Sequence, residues 1–322
     1  MQDVVAIVLA AGKGTRMKSR LPKVMHRAGG KTLVQHVIDS VKAAGIFQII
    51  VVVGCGAELV KTSLGDTYRY VVQAEQLGTG HAVQQTESVI AAEEATVLVL
   101  CGDMPLISAN SLTKLLQRHR ENNAAATVLT AYFADPTGYG RIVRDAQGRL
   151  ERIIEEKDAS PEVKRIQEVN TGTYCFNRDE LFSALQEIEP NNVQGEYYLT
   201  DVLTIMLGKG LTVEIVDEAK SQEALGINSR QQLAEAEQLF RQRTLKRVMA
   251  EGVTVIDPGS TFIDDSAEIG PDTIIHPFTI IAGQSSIGPE SEIGPFTRIK
   301  DSIVGKEVLV QNSVVIESYV GD

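Results

Sequence analysis

The sequence predicts an α/β domain on a mixed, mostly parallel sheet, followed by a solenoid of hexapeptide repeats. Three observations carry that expectation. Over the first two-thirds of the chain, apolar β-branched runs alternate with helically spaced segments, the pattern of parallel strands covered by helices. The first of those runs breaks into a turn holding two glycines and two cations. From Ile263 onward aliphatic residues recur every six positions, a period that neither a helix nor an amphipathic strand produces.

Residues 4–9 show no polar alternation and read as a strand buried on both faces. The strand delivers Leu9-Ala10-Ala11-Gly12-Lys13-Gly14-Thr15-Arg16-Met17. Where no Cβ stands in the way, backbone N–H groups can approach an anion closely. Lys13 and Arg16 add positive charge there, so the turn reads as a phosphate-binding device. A dinucleotide fingerprint is excluded, because its third glycine would fall on Met17. A Walker A loop ending on Gly30-Lys31-Thr32 is excluded, because Met25 stands where its first glycine belongs.

Apolar spacing at Leu33, Val34, Val37, Ile38 and Val41 predicts a helix over 33–44. Strands are predicted at 49–53 and 70–72, a helix at 82–92 and a fully apolar strand at 96–101. Segments 126–133, 140–143, 173–176 and 211–216 read as less regular strands of the same sheet. Ser229 opens a long helix with a capping-box spacing to Gln232, and Gly252 lies just past its end. Leu233, Ala236, Phe240, Val248 and Met249 are its expected packed stripe. The domain expectation is therefore 1–228, a connecting helix at 229–251, and the solenoid at 252–322.

In the solenoid the aliphatics are Ile263, Ile269, Ile275, Ile281, Ile287, Ile293 and Ile299, and after a slip of one, Val304, Val310 and Ile316. Small residues follow four positions behind, at Ala267, Thr273, Thr279, Ser285, Ser291 and Thr297. Solenoid ends need capping. The chain stops at Asp322 just after Val320-Gly321 opens another repeat, so the expectation is a piece of a longer protein.

Composition narrows the function. The 43% hydrophobic content over 322 residues supports a sizeable core and two domains. Tryptophan is absent and aromatics make up only 5%, which argues against stacking on successive nucleic-acid bases. A net charge of −11 argues against a nucleic-acid or anionic-membrane partner. Cys55, Cys101 and Cys175 are far apart and odd in number, which suits neither a disulfide framework nor a metal motif. No N-terminal charged region and no apolar run near ~18 residues is present, so the expected compartment is the cytoplasm.

Asp103 follows the strand at 96–101 through Gly102, where open α/β sheets bind ligands. A carboxylate there can coordinate Mg²⁺; taken alone it reads first as a turn residue. The amide of Gln73 can pair with both a donor and an acceptor on a base edge, and Gly78 allows backbone approach. His81 reads as a packed or capping histidine rather than a base.

The stretch from Leu9 to Met17, followed by Leu21-Pro22-Lys23, resembles the signature of sugar-1-phosphate nucleotidyltransferases. Gly102-Asp103-Met104-Pro105-Leu106 resembles their metal-binding element, and residues 73–82 resemble the uracil-recognising stretch of one branch. Segments 135–142, 155–158, 169–172, 194–201 and 226–228 follow that branch in order and spacing. With the solenoid, the chain resembles the bifunctional N-acetylglucosamine-1-phosphate uridyltransferases and glucosamine-1-phosphate acetyltransferases. The resemblance implies a Rossmann-like nucleotidyltransferase domain and a left-handed parallel β-helix, here cut short. It implies that Leu9, Ala10, Ala11, Gly12 and Gly14 line the nucleotide, with Gln73, Gly78 and Thr79 around uracil, and that Cys101 and Gly102 are among the substrate-binding residues. Some relatives carry an aromatic in place of Cys101. Arg16 and Lys23 would hold the triphosphate, Asp103 and Asn228 would bind Mg²⁺, and Gly140, Glu155 and Asn170 would grip the sugar. The implied reaction joins UTP and N-acetylglucosamine 1-phosphate into UDP-N-acetylglucosamine and pyrophosphate. Acetyl transfer is expected to need later coils, and the solenoid is expected to form a homotrimer. The rivals are a thymidylyltransferase or adenylyltransferase of the same fold, and a scaffold protein that has lost catalysis. The latter should have eroded Lys23, Asp103 or Asn228, and all three are present.

Overall fold

The computed structural model describes residues 3–91, 95–217 and 219–322. Residues up to His26 and Thr32–Gln232 form one compact unit, and Arg27–Lys31 with Leu233–Asp322 form another.

The first unit is built on nine strands. These are β1 (Val4–Ala10), β2 (Gln48–Val53), β3 (Arg69–Val72), β4 (Thr96–Cys101), β5 (Ala126–Tyr132), β6 (Arg141–Arg144), β7 (Leu150–Ile154), β8 (Glu168–Asn177) and β9 (Val213–Val216). The order across the sheet is β9-β5-β8-β4-β1-β2-β3, with β6 pairing β8 and β7. β1 runs parallel to both β2 and β4, and β9 parallel to β5, whereas β8 is antiparallel to β4, β5 and β6. The sheet is thus mixed, with an unbroken parallel run over β4-β1-β2-β3. β1 is buried along both faces, as its unbroken apolar run requires.

The helices of this unit are α1 (Leu33–Ala43), α2 (Ala57–Leu64), α3 (Thr79–Gln84), α4 (Ala109–Glu121), α5 (Arg178–Leu185) and α6 (Thr200–Gly208), and α7 (Arg230–Ala250) starts in it. Side-chain oxygens of Thr32, Ser108 and Asn177 cap α1, α4 and α5 by accepting from first-turn N–H groups. The helix expected over 82–92 instead begins at Thr79 and ends at Gln84; Glu87–Val89 forms a separate 3₁₀ turn, and Ala92 lies outside the described residues. At α7, Ser229 Oγ accepts from Gln232 N–H at 3.2 Å, half of the expected capping box. The Gln232 amide reaches back one residue further, to Asn228 N–H at 2.8 Å.

In the second unit three parallel sheets form, each taking every third short strand. Ile263 lies opposite Ile281 and Ile281 opposite Ile299, so one coil takes three hexads. The column of aliphatics is buried from Ile263 to Val310. One expectation fails here. Ile316 faces outward, and Val315 lies opposite Ile299, because the hexad register slips a second time. The stripe of α7 also differs: Met249 is exposed and Leu233 only half-buried, while Thr244 and Leu245 join Ala236, Phe240 and Val248. Arg27–Lys31 belongs to this unit through Gly29 N–H, which donates to Glu237 Oε2 at 2.7 Å, and through the Lys31–Asp265 pair.

Candidate active site

β1 and β4 end side by side, with Leu9 opposite Cys101, and Gly102 N–H donates to Leu9 O at 2.9 Å. Those two strand ends set the glycine-rich turn and Asp103 next to one another. The turn itself closes through Met17 N–H to Gly14 O at 3.0 Å. Gly14 is left-handed at φ 59°, and a Cβ there would meet Lys23 Cβ at 2.6 Å, so the turn packs directly on the Lys23 segment. The backbone N–H of Ile227 donates to Asp103 O at 2.9 Å, which brings Asn228 to the same place.

There, three residues far apart in sequence meet. The Lys23 ammonium donates to Asp103 Oδ2, and to Asn228 Oδ1 at 2.8 Å. One carboxylate and one amide oxygen therefore converge on a single cation position. Among the described residues no group of three or more His, Cys, Asp or Glu side chains could hold a metal ion. Mg²⁺ does not need such a cage, since it is commonly held by one or two protein oxygens plus waters and substrate phosphates. The donor set of Asp103 and Asn228 fits Mg²⁺ on that basis.

Two pockets flank this point and share Leu9, Thr79, Cys101 and Asp103 in their walls. The larger, a cleft of about 520 Å³, is lined by Ala11, Gly12, Lys13, Gly14, Lys23, Gln73 and Gly78. Gln73 is buried, and its Nε2 donates to Gly78 O at 3.0 Å and lies 3.1 Å from His81 Nδ1. His81 thus orients an amide, in keeping with the packed role expected of it. The close approach that Gly78 permits is to the Tyr197 backbone, 2.5 Å from the position of a Cβ. Thr79 Oγ1 accepts from Leu199 N–H at 3.1 Å, so residues 78–79 anchor the 194–201 segment.

The smaller pocket, about 200 Å³, is lined by Gly140, Glu155, Asn170, Thr200 and Asn228. Asn170 sits at a bulge of β8, donates from Nδ2 to Tyr174 Oη at 2.7 Å and accepts from Gly172 N–H at 3.0 Å. Burial pushes the Glu155 carboxyl above the usual carboxylate range, opposed by a hydrogen bond from Thr200 and reinforced by Asp158, Asp201 and Glu196. Burial likewise pushes the Cys101 thiol up to about 12, so Cys101 is a neutral wall residue and not a nucleophile.

Not every expected residue lines a pocket. Arg16 is exposed on the turn, and Ala10 and Gly102 are buried behind the cleft wall. Glu196 and Thr200 also line the site; they lie within the segment 194–201 that the sequence singled out without giving them roles.

A mixed sheet whose central strand ends carry a glycine-rich basic turn and a cation-holding carboxylate is the architecture of a nucleotidyl transferase. The nucleotidyl transferase model matches residues 5–222, and the bacterial transferase hexapeptide (six repeats) model matches 266–301. The bifunctional protein GlmU of Halalkalibacterium halodurans is 50% identical over 322 residues, covering 100% of this chain and 71% of that protein. The one from Pelotomaculum thermopropionicum is 53% identical over 320 residues, covering 99% of this chain and 70% of that protein. A crystal structure from Bacillus anthracis, provisionally assigned as a glucose-1-phosphate thymidylyltransferase in complex with a sucrose, gives a TM-score of 0.62. It covers 74% of this chain and 95% of its own at 20% identity, a likeness of fold alone. The chain belongs to the nucleotidyl transferase family and, along its whole length, to the bifunctional GlmU proteins. It is an enzyme of that family, a UDP-N-acetylglucosamine pyrophosphorylase.

Proposed function

We propose that the enzyme joins UTP and N-acetylglucosamine 1-phosphate, giving UDP-N-acetylglucosamine and pyrophosphate, by in-line attack at the α-phosphorus. The observation that carries this reading is the convergence of Asp103 and Asn228 on one cation position between two pockets. The larger pocket takes the nucleotide. The backbone from Leu9 to Gly14 runs along it, and Gln73, Gly78 and Thr79 surround the uracil. The smaller takes the acetylated sugar through Gly140, Glu155 and Asn170.

The attacking sugar phosphate is already an anion, so no general base is required. What the chain must supply is alignment and charge compensation. Lys23 and Arg16 offset the charge that gathers on the triphosphate as the α-phosphorus bond breaks. Asp103 and Asn228 would hold Mg²⁺, which would supply Lewis-acid neutralisation of phosphate charge. Lys23 donates to an oxygen of each of these two residues, and a bound triphosphate would offer its ammonium a further anionic partner. We further propose that the solenoid forms a homotrimer and that the enzyme works in the cytoplasm; no helix among the described residues is long and apolar enough to cross a membrane.

Asp103→Ala tests the reading. Pyrophosphate release should fall to background while the melting temperature stays near wild type, because the carboxylate is part-exposed at a strand end rather than in the core. Turnover retained at ordinary Mg²⁺ concentration would contradict it. Glucosamine 1-phosphate with acetyl-CoA, run in parallel, reports the second activity.

A further inference from the structure

We propose that Arg230 is a positioning residue for the transfer: its guanidinium straps the glycine-rich turn and the Lys23 turn to the segment that carries Asn228. The proposal rests on the roles given above to Lys23 and Asn228.

Arg230 opens α7, two residues after Asn228. Its Nε donates to Met17 O at 3.3 Å, and its Nη1 lies 3.2 Å from His26 Nδ1. Each of these two acceptors belongs to the residue that closes a functional turn. Met17 N–H closes the glycine-rich turn on Gly14 O, and His26 N–H closes the next turn on Lys23 O at 3.2 Å. The glycine-rich turn with Lys13 and Gly14, the nearby Lys23 turn and the distant segment that carries Asn228 thus share one side chain. A guanidinium is suited to this because its donors are fixed in one plane and fix the separation of what they bind.

The His26 end is built for that contact. An arginine can only donate, so Nδ1 must accept and the ring proton sits on Nε2. His26 is 5% exposed, and its Nε2 is buried with no hydrogen-bond partner among the described residues. Its one side-chain hydrogen bond is therefore the one to Arg230. Burial, then the Arg230 charge, hold the imidazole below its usual range, which keeps Nδ1 free to accept. Neither residue lines a described pocket.

The test compares Arg230→Met, Arg230→Lys and His26→Ala with wild type in kcat, in KM for each substrate, in the Mg²⁺ concentration for half-maximal rate and in melting temperature. Loosening the strap should let Lys23 and Asn228 drift, and a misplacement near 1 Å costs on the order of 100-fold. Arg230→Met should therefore lower kcat by roughly 10- to 100-fold and raise the Mg²⁺ requirement. KM for the sugar phosphate should stay put, because Gly140, Glu155 and Asn170 have no hydrogen bond to the strap. Arg230→Lys should recover only part of the rate, since a point charge cannot hold both acceptors. His26→Ala should lower kcat in the same direction and add little on top of Arg230→Met, as expected for partners in one contact. It also carries the test if Arg230→Met does not fold. Wild-type kcat and Mg²⁺ dependence in Arg230→Met would overturn the strap, as would a uniform decline of melting temperature and every kinetic constant. Lys23→Met and Asn228→Ala serve as controls. If those two retain full turnover, the roles assigned above fail, whatever Arg230 does.

Discussion

Two glycines in the nucleotide turn do different jobs. A Cβ added at Gly12 would meet nothing within 4 Å, whereas one at Gly14 would need a left-handed residue and would strike Lys23 Cβ. Gly14→Ala should therefore destabilise the fold, by about 1 kcal/mol or more from the backbone alone. Gly12→Ala should melt like wild type yet bind nucleotide more weakly, because the added methyl enters the cleft. Thermal melts paired with nucleotide titrations check both. Unweakened nucleotide binding by Gly12→Ala would show that the open space at Gly12 is not ligand space. At this scale the sequence was informative where chemistry is local. The turn, Lys23 and Asp103 each announced themselves, and their expected neighbourhood is what the structure brings together. Arg230 and His26 left no signal, because a strap across more than two hundred residues has no local pattern.

Among the elements, α4 makes the most definite pH prediction. His119 is buried on it and its Nδ1 lies 3.0 Å from Thr127 Oγ1 on β5. Burial, then the charge of Arg120, push its imidazole down to about 4. A base whose folded value lies below its unfolded one stabilises the fold above the unfolded value, near 6.5, and that stability is lost as pH falls toward 4. The loss should amount to on the order of 3 kcal/mol between those limits. His119→Gln should flatten this part of a melting-temperature profile against pH, and an unchanged slope would contradict the assignment. Strands were the most legible elements. The central strands 96–101 and 49–53 fell within a residue of their observed ends, because both-face burial leaves an unbroken apolar run. The sequence marks only 173–176 of β8, which runs Glu168–Asn177, since the bulge at Asn170–Thr173 breaks the alternation that marks a strand. β7 and the helices α2, α4, α5 and α6 were not anticipated. α6 shows why: Val202, Leu203, Ile205, Met206 and Leu207 are too uniformly apolar to reveal a helical face.

At the scale of the whole molecule, the hexad repeat was the plainest signal, since each coil repeats one inward aliphatic and one buried small residue. The second register slip was missed because Val315 and Ile316 are both aliphatic, and only strand pairing decides which faces in. Outside that buried column the solenoid carries Phe278, Phe296, Leu309, Val314 and Tyr319, all more than half exposed, with the two phenylalanine rings stacked at 5.2 Å. Leu309, Val314 and Tyr319 lie on three different sheets, so the stacked phenylalanine pair is the apolar feature that suits a contact between copies. Sedimentation should give three times the chain mass, and a monomer at micromolar concentration would argue against the proposed trimer. The reaction itself is tested most directly by its product. Pyrophosphate release should be measured with UTP and Mg²⁺ against N-acetylglucosamine 1-phosphate and glucose 1-phosphate side by side. Rapid release is expected with the acetylated amino sugar and little with glucose 1-phosphate. Release with glucose 1-phosphate, or with another triphosphate, and none with the acetylated sugar would leave the fold intact and contradict the assignment.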